Sequence, residues 1–337
     1  MNILVVSPAL HYLDHSILEP GLEWSLGPLR RMGHTVRLYN MNRWHPIDRD
    51  WMNEEFLALL STGRFDLVLI GAWDRFERET LTEAMRHATT ITFNPDDDSQ
   101  WHQTGPLAPY FSYMFTFSRP VYEANKAAVT NLRLTQWACT GTYDGLDHAK
   151  DIPVSFVGQL YGNRAKLLQQ LRRVSKVTSY GPGFGGSVGD RTGYSWRWRR
   201  LVTRVLSVPL VEPGLSYEAM NAIWNRTRVS FCPMEASRGN VLQMKARVFE
   251  MGMSGTLMLC NRYAPMDEYY ERGKEYDDFE TIEECKSKVK FYLKHEEARR
   301  KIALAYHART KGEHLWEHRY EKLLAECGLP AHGNGML

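Results

Sequence analysis

Short apolar runs alternate with longer segments of helical periodicity through the first 139 residues. The run Ile3–Val6 is apolar at every position, as are strands buried on both faces of a parallel sheet. Further strands are predicted at Thr35–Tyr39, Asp66–Ile70, Thr90–Phe93, Tyr113–Phe117 and Leu132–Gln136. The helical segments between them are Ile17–Met32, Trp51–Leu60, Glu77–His87 and Arg119–Ala128. This alternation indicates β-α-β units and a parallel sheet.

The alternation stops at residues 140–152, where Gly, Asp and Thr accumulate, and then resumes. Strands are predicted at Val154–Val157, Val177–Tyr180, Val229–Cys232 and Thr256–Cys260. Helices are predicted at Arg164–Val174, Tyr217–Trp224 and Gln243–Met253. From Ile282 to Glu326 the pattern is almost continuously helical, and Gly312 is the expected break.

The sequence therefore predicts an α/β protein with two tandem Rossmann-like domains and C-terminal closing helices. The predicted first domain is 1–139, the linker 140–152, the second domain 153–311, and the C-terminal helix and tail 312–337. In open parallel sheets, ligands bind outside the carboxyl ends of the strands. We therefore expect the ligand site between the two domains.

The composition is that of a soluble globular protein, with 43% hydrophobic and 24% charged residues. It excludes collagen-like, coiled-coil and wholly disordered chains. The net charge is only +3, so no global attraction to nucleic acid or membranes follows. The five cysteines form no close pair, which favours reduced thiols. Because neither a signal peptide nor an apolar run of ~20 residues is found, we expect a cytoplasmic protein without a transmembrane segment.

The residues with the clearest chemistry follow the third predicted strand of the second domain. A loop with Gly239 and Asn240 leads into a helix, and backbone N–H groups at a helix N-terminus favour an anion. Lys245 and Arg247 add two positive charges suited to a diphosphate. Glu250 shares a helix face with Arg247, and its carboxylate can accept hydrogen bonds from two ribose hydroxyls. The alternative is an exposed helix with internal ion pairs.

Three consecutive aspartates, Asp96-Asp97-Asp98, follow the predicted strand Thr90–Phe93. The carboxylate of Asp97 or Asp98 can act as a general base that takes a proton from an acceptor hydroxyl. Alternatively, Asp96 and Asp98 hold a metal ion on a diphosphate, or the stretch is a solvated turn. His11, in the loop after the first strand, is a further candidate base or phosphate ligand, with a plain surface position as its alternative.

One local basic patch interleaves aromatic and arginine side chains, with Trp196, Arg197, Arg199 and Arg200 at its centre. Such a patch can stack on bases and contact the phosphates of a nucleic acid, or lie on an anionic membrane surface. It equally fits buried Trp and solvated Arg side chains. These four residues are candidate acceptor contacts.

Several motifs of the chain together resemble those of one enzyme family. They are Arg247-Val248-Phe249-Glu250, Ser254-Gly255, the stretch from Met266 to Tyr276, the tail from Ile282 to Tyr320, Phe156-Val157-Gly158 with Asn163-Arg164, and Phe93-Asn94-Pro95-Asp96-Asp97-Asp98. This set is similar to GT-B glycosyltransferases, and most similar to the CgeB-like (spore maturation protein) branch of the group 1 glycosyltransferases. The resemblance spans most of the chain and is densest from Arg228 to Tyr320.

The resemblance implies an enzyme that moves a sugar from a nucleotide diphosphate donor to an acceptor hydroxyl. The first domain would present the acceptor. The implied donor-binding residues of the second domain are Gly158, Arg164, Gly239, Asn240, Lys245, Arg247 and Glu250. The nucleotide sugar is then a co-substrate, and no metal or other cofactor is expected, because these cations offset the negative charge on the departing diphosphate.

One position departs from the pattern of the family. Many group 1 enzymes carry a second Glu eight residues before the position of Glu250, whereas this chain has Leu242. Glu235, in the preceding loop, is a candidate substitute. Retention or inversion at the anomeric carbon therefore stays open.

The acceptor also stays open between a glycan, a lipid-linked molecule, a protein and DNA. One alternative function is glycosylation of a modified nucleic-acid base, with the basic patch following the strand. Another is a non-catalytic nucleotide- or nucleic-acid-binding protein on the same fold. The presence of Lys245, Arg247 and Glu250 together favours an active enzyme.

Overall fold

The computed structural model describes residues 1–10, 18–41, 48–71, 73–160, 162–181, 215–236 and 241–333. The chain divides into two compact units. The first contains Met1–Leu10, Glu19–Ala138 and the C-terminal residues from Trp316, and the second contains Cys139–Leu315. The described part of each unit has one parallel sheet with helices packed against it.

Each sheet is parallel throughout its described strands. The first has the order β2-β1-β3-β4-β5-β6, with β1 Asn2–Ser7, β2 Thr35–Asn40, β3 Leu67–Ile70, β4 Thr89–Asn94, β5 Tyr113–Thr116 and β6 Leu132–Leu134. The second has the order β11-β10-β9-β7-β8, with β7 Ile152–Val157, β8 Val177–Tyr180, β9 Thr227–Cys232, β10 Leu257–Asn261 and β11 Asp277–Phe279. The ten strands predicted from apolar runs are all present, and β11 is additional.

The described α-helices lie between these strands and at the C-terminal end. In the first half they are α1 Gly21–Arg31, α2 Arg49–Thr62, α3 Arg78–His87, α4 Asp97–Thr104 and α5 Arg119–Asn125. The others are α6 Arg164–Leu171, α7 Tyr217–Asn225, α8 Ala246–Met253, α9 Ile282–Lys294, α10 Glu296–Glu313 and α11 Trp316–Glu326.

Several helix boundaries differ from the sequence prediction, and two of the differences concern α8 and the long C-terminal helical segment. The helix expected from Gln243 begins at Ala246, because the backbone of Lys245 is extended, with φ −116° and ψ 145°. The Gln243 N–H donates to the Met234 carbonyl at 3.0 Å. The expected break at Gly312 lies within one residue of the end of α10 at Glu313. The long C-terminal helical segment is also interrupted at His295, whose ψ of 80° is not helical.

The first sheet is covered on both faces, which explains the uninterrupted apolar run in β1. Ile3 and Val5 belong to one buried cluster, and Leu4 and Val6 belong to another. The C-terminal helix α11 adds an apolar face to the first cluster through residues spaced at helical intervals, namely Trp316, Tyr320, Leu323 and Leu324. The C-terminal end of the chain is therefore part of the first unit.

The second unit is built in the same way. Val154 and Phe156 of β7 pack with Val229 and Phe231 of β9 in a buried cluster that α6 and α9 also enter. Elsewhere in this unit α8 approaches α10 closely, because a Cβ at Gly252 would lie 2.0 Å from Thr310 Oγ1. Only glycine permits this packing, which fixes the helix that carries Arg247 and Glu250.

Candidate functional site

The second sheet has a topological switch point between β7 and β9. From β7 the chain forms β8 on one side and then β9, β10 and β11 on the other. At such a point the connections leave in opposite directions, and a crevice opens outside the carboxyl ends of the two strands. The residues that follow β7 and β9 are therefore the first place to look for a ligand site in this unit.

Gly158 follows β7, and its backbone lies against the guanidinium group of Arg247. Gly158 has a φ of 149°, and a Cβ on this residue would lie 2.4 Å from Arg247 Nη1. Arg247 Nη1 donates to the carbonyl oxygen of Val157 at 2.7 Å. Gly181, which follows β8, lies close to the backbone of Gly158, because a Cβ on Gly181 would lie 2.7 Å from the Gly158 carbonyl oxygen. The two glycines leave the strand ends open to a close approach.

The Arg164 guanidinium group joins the segments that follow the two strands. Arg164 is fully buried. Its Nη1 donates to the Gln159 carbonyl at 2.9 Å, and its Nη2 donates to the carbonyls of Glu235 at 3.1 Å and Pro233 at 3.4 Å. These bonds tie the loop after β7 to the loop after β9. The sequence predicts a phosphate contact for Arg164, and that contact stays a prediction.

Three cations surround the end of β9. Burial raises the pKa of the Cys232 thiol, and the positive charges of Arg247, Arg164 and Lys245 act in the opposite direction. Lys245 is itself buried, at 8% exposure. Lys245 and Arg247, which are 81 and 83 positions away from Arg164 in the chain, are thus gathered with it at one strand end. This clustering is the main electrostatic feature of the switch point.

Helix α8 begins beside this cluster. Lys245 is the residue that precedes the helix, and Arg247 lies in its first turn. Glu250 is buried at 3% exposure, three residues beyond Arg247, so the predicted spacing on the helix is kept. A buried carboxylate near an arginine and a lysine is the combination that the sequence analysis assigns to nucleotide binding.

The segment before α8 folds back on itself. Gln243 and Met234 are joined by a backbone hydrogen bond, and the Ala236 N–H donates to the Val241 carbonyl at 2.8 Å. Within it, the carboxylate of Glu235 accepts a hydrogen bond from Asn261 Nδ2 at 3.2 Å, and Leu242 is 36% exposed. Gly239 and Asn240 lie outside the described residues, so their predicted phosphate contacts stay predictions.

In the first unit, the aspartate triplet follows a turn at Pro95 and Asp96 into helix α4, which begins at Asp97. Asp96 precedes the helix and is exposed, Asp97 is buried at 1% exposure, and Asp98 is half-buried. The Asp97 carboxylate accepts a hydrogen bond from Thr104 Oγ1 at 2.5 Å. Asp98 accepts one from Ser118 Oγ at 2.6 Å. Three adjacent aspartates thus have three different environments.

Burial changes the acidity of Asp97. It raises the pKa of this carboxyl from 3.8 to about 6, and the neighbouring charges of Asp98 and Asp96 add to the rise. Hydrogen bonds from Thr104 and Thr116 act in the opposite direction but do not cancel it. A carboxyl with a pKa near 6 exchanges its proton close to neutral pH, which suits acid–base chemistry.

Asn94, at the end of β4, is a polar residue that the sequence analysis did not single out. Its side chain is buried at 2% exposure, and neither the amide nitrogen nor the amide oxygen has a hydrogen-bond partner among the described residues. It is paired in register with Thr116 of β5, the residue whose hydroxyl bonds to Asp97. A buried amide without partners is costly and marks this strand end as a place for a polar ligand.

The other predicted site residues lie outside the described residues. They are His11, Trp196, Arg197, Arg199 and Arg200. Among the residues that are described, no group of three His, Cys, Asp or Glu side chains gathers as a metal site. None of the described helices is both long and apolar enough to cross a membrane.

Comparison with known proteins defines the class to which this fold corresponds. Residues 164–325 match the model of a family described as glycosyl transferase-like, a span that includes Arg164, Lys245, Arg247 and Glu250. No curated protein matches the chain. The matched span is thus similar to the glycosyl transferase-like family, and the described site residues of the second unit, except Gly158, fall within it.

Solved structures resemble the chain over nearly its whole length. Anabaena HepE (Alr3699), solved with UDP and glucose, has a TM-score of 0.63 at 12% identity and covers 97% of this chain and 99% of its own. Sucrose-phosphate synthase from Thermosynechococcus elongatus has a TM-score of 0.62 at 11% identity and covers 96% and 99%. An alpha-glucosyltransferase solved with UDP-glucose and DNA containing an abasic site has a TM-score of 0.64 at 9% identity and covers 97% and 99%.

At these identities the similarity establishes the fold. The protein has the GT-B fold, with two Rossmann-like α/β domains, and this confirms the predicted fold class. The predicted glycosyltransferase function agrees with both the matching family and the matching structures. The similarity to the CgeB-like branch in particular stays a prediction.

Proposed function

We propose that the protein transfers a sugar from a nucleoside diphosphate sugar to an acceptor hydroxyl. The observation that carries the proposal is the cluster of Arg247, Lys245 and Arg164 at the switch point between β7 and β9. Positive charge at the carboxyl ends of parallel strands is the arrangement that binds phosphates. The matching glycosyl transferase-like family covers the same residues.

Within the proposed donor site, Arg247 and Lys245 bind the diphosphate. Arg247 is held against the end of β7 by its bond to Val157 and by the space at Gly158, so its guanidinium group is ordered before a ligand arrives. A fixed arginine loses little freedom on binding a phosphate. Glu250, one turn further along α8, accepts hydrogen bonds from the ribose hydroxyls.

Arg164 acts as a positioning residue in this proposal. Its guanidinium group already donates to three backbone carbonyls, two of them in the loop that follows β9. Those bonds fix the loop that leads to Gly239 and Asn240, whose backbone N–H groups remain candidate phosphate ligands. Removing Arg164 would therefore disturb the donor site even without a direct phosphate contact.

The acceptor base is proposed to be Asp98. It is half-buried, and Ser118 Oγ orients its carboxylate, whereas Asp97 is enclosed by Thr104 and Thr116. A base must come within hydrogen-bond reach of the hydroxyl that it deprotonates, and partial exposure favours Asp98. Asp97 and Asn94 then form the buried polar surroundings of Asp98 at the carboxyl end of β4.

The cations of the second unit also serve the leaving group. As the bond to the sugar breaks, negative charge develops on the departing diphosphate, and fixed positive side chains stabilise it. This role needs no metal ion, although Asp96 and Asp98 remain the alternative metal ligands that the sequence suggests. Hexosyl transfer is the first donor class to test, because two of the structural neighbours were solved with UDP-glucose.

The acceptor divides the proposal into two candidates. A small glycan, lipid-linked or protein acceptor is the first, since the net charge of +3 gives no general attraction to nucleic acid. DNA is the second, because one neighbour was solved with UDP-glucose and DNA. Binding of DNA and RNA, measured by anisotropy at several salt concentrations, separates them, since phosphate contacts weaken steeply with salt. A cytoplasmic location, where nucleotide sugars are at hand, is part of the same proposal.

The proposal is tested by a thermal-shift panel of nucleoside diphosphates, nucleotide sugars and the matching nucleosides. A ligand at 100 times its Kd should stabilise the protein by about 2.7 kcal/mol. We expect a uridine diphosphate or its sugar to raise the melting temperature and uridine alone to leave it unchanged. If no nucleoside diphosphate or nucleotide sugar stabilises the protein, the donor site is wrong.

A further inference from the structure

A second cationic site lies in the same unit, away from the switch point. It is an open cavity of about 360 Å³ beside the N-terminal half of α10 and the segment that leads into β7. Four of the side chains that line it are cationic, namely Lys150, Arg228, Arg299 and Arg300. Two carboxylates, Asp147 and Glu296, also line it. Its side chains therefore carry a net positive charge.

Arg299 is the buried cation of this cavity. It is 4% exposed, and its ion pair is with Glu296, whose Oε1 lies 3.5 Å from Arg299 Nη2. The Glu296 side chain is itself 76% exposed, so the pair is solvated and weak. Burial lowers the pKa of Arg299, the charge of Glu296 acts in the opposite direction, and the charges of Arg228 and Arg300 lower the pKa further. A buried guanidinium group with this little compensation has capacity for an anion.

Two of the other cations, Lys150 and Arg228, are fixed by the backbone around the cavity, and Lys150 Nζ donates to the Gly145 carbonyl at 3.2 Å. Lys150 Nζ donates to the carbonyls of Asn225 at 2.7 Å and Ser254 at 2.5 Å, and Arg228 Nε donates to the Lys150 carbonyl at 2.9 Å. Burial, with the charge of Arg299, lowers the pKa of Lys150 to about 8. Lys150 and Arg228 are thus held in place by backbone carbonyls rather than by carboxylate partners.

The position of the cavity separates it from the donor site. Lys150 precedes β7, Arg228 lies at the start of β9, and Gly255 precedes β10, so the cavity is at the amino ends of these strands. Gly158 and Arg247 are at the opposite, carboxyl ends. Six residues of extended strand span about 20 Å. One ligand of ordinary size cannot fill both places.

We infer that this cavity binds a multiply charged phosphate anion as a ligand other than the donor sugar nucleotide. A planar guanidinium group can donate two parallel hydrogen bonds to two oxygens of one phosphate. Three of the four cations are arginines. The volume is at the lower end of the range for small-molecule sites and accommodates a pyrophosphate or a phosphorylated metabolite. Phosphate groups compensate the charges that the carboxylates Asp147 and Glu296 leave unbalanced.

The test is calorimetric titration of the full-length protein with pyrophosphate and with inorganic phosphate at constant ionic strength. We expect pyrophosphate to bind more tightly than phosphate. Arg300→Gln, at an exposed residue of the cavity, should weaken pyrophosphate binding about three- to tenfold, and Arg299→Gln should weaken it at least tenfold. If Arg299→Gln does not fold, Arg228→Gln takes its place.

Two controls make the result specific to the cavity. Lys301→Gln removes a positive charge from the next residue of α10, which does not line the cavity, and should leave the affinity unchanged. Arg247→Ala disables the proposed donor site, and pyrophosphate should still bind to this variant. Absence of pyrophosphate binding, equal effects of Arg300→Gln and Lys301→Gln, or loss of binding only in Arg247→Ala would each overturn the inference.

Discussion

At the carboxyl end of its second sheet the protein gathers arginines and a lysine, while at the carboxyl end of its first sheet it buries a carboxylate and an amide. In the second unit, Arg164 and Arg247 donate to backbone carbonyls at the ends of β7 and β9. In the first unit, Asp97 accepts hydrogen bonds from two threonine hydroxyls, and the amide of Asn94 has no partner among the described residues.

The difference lies in how each charge is compensated. Backbone carbonyls stabilise the guanidinium groups in their charged form, so these cations remain available to a phosphate. Two hydroxyls compensate the Asp97 carboxylate incompletely, and its pKa therefore rises to about 6. The cations at the carboxyl end of the second sheet keep their charge, whereas the Asp97 carboxyl at the carboxyl end of the first sheet gains or loses a proton near pH 6. Fixed cations suit a donor diphosphate, and the base proposed for the acceptor hydroxyl is Asp98, the neighbour of Asp97.

The largest effect is expected for the proposed base. Asp98→Asn should lower kcat by roughly 10²- to 10⁴-fold and leave donor affinity nearly intact, because the amide cannot take the acceptor proton. Steady-state kinetics, together with nucleotide affinity by calorimetry, measures the two quantities. Asp96→Asn, at the exposed residue of the same triplet, is the control. A loss of donor affinity in Asp98→Asn would favour the metal-ligand role instead.

Asp97 should influence stability more than chemistry. Its pKa is higher in the folded state than its ordinary value of 3.8, so the folded protein binds the proton more tightly than the unfolded chain does. Stability therefore decreases as pH rises from about 4 to about 6 and stays lower above that, by about 3 kcal/mol for a shift of about two units. Asp97→Asn should remove this decrease and make the protein more stable than the wild type at pH 8.

Denaturant unfolding of the wild type and Asp97→Asn at pH 5 and pH 8 measures this effect. Asp96→Asn again serves as the control, because Asp96 is exposed. If Asp97→Asn is no more stable than the wild type at pH 8, the Asp97 carboxylate is better compensated than the two threonines indicate. The contrast between the two strand ends would then disappear.

The donor side should respond with a loss of affinity. Arg247→Ala removes a charge-assisted hydrogen bond to the diphosphate and should weaken nucleotide binding by about 1.5–3 kcal/mol, which corresponds to roughly 10- to 150-fold in Kd. Calorimetric titration with the best nucleotide of the thermal-shift panel measures it. Arg173→Ala, at an exposed arginine of the same unit, should leave the affinity unchanged. Equal affinities for wild type and Arg247→Ala would remove Arg247 from the site.

The strands were predictable because burial on both faces leaves uninterrupted apolar runs, as in Ile3–Val6. Helix α4 was not predicted, because Pro95 and the aspartates suggested a turn. Asp97 and Asp98 in a first helical turn are nevertheless favourable to the helix dipole, and this signal was available. The three-residue strand β11, Asp277–Phe279, is too short and too acidic to show a strand pattern.

The sequence predicted which candidate site residues are neighbours along the chain, but it did not predict the contacts between distant segments. Lys245, Arg247 and Glu250 are close in sequence, so their helix places them together. The bonds from Arg164 to Pro233 and Glu235 join residues about 70 positions apart, and they depend on the order of strands in the sheet. The same holds for the cavity around Arg299, whose cations come from three separate segments.

The smallest expected effect is that of metal removal. If the fixed cations at the ends of β7 and β9 stabilise the departing diphosphate by themselves, excess chelator should leave the transferase rate within about twofold of its original value, because their charge does not depend on a bound ion. The measurement is the initial rate with and without chelator, followed by addition of Mn²⁺ or Mg²⁺. Activity that vanishes with chelator and returns with the metal would assign Asp96 and Asp98 to a metal ion. It would also mean that the cations of the second unit bind the donor without being sufficient for its cleavage.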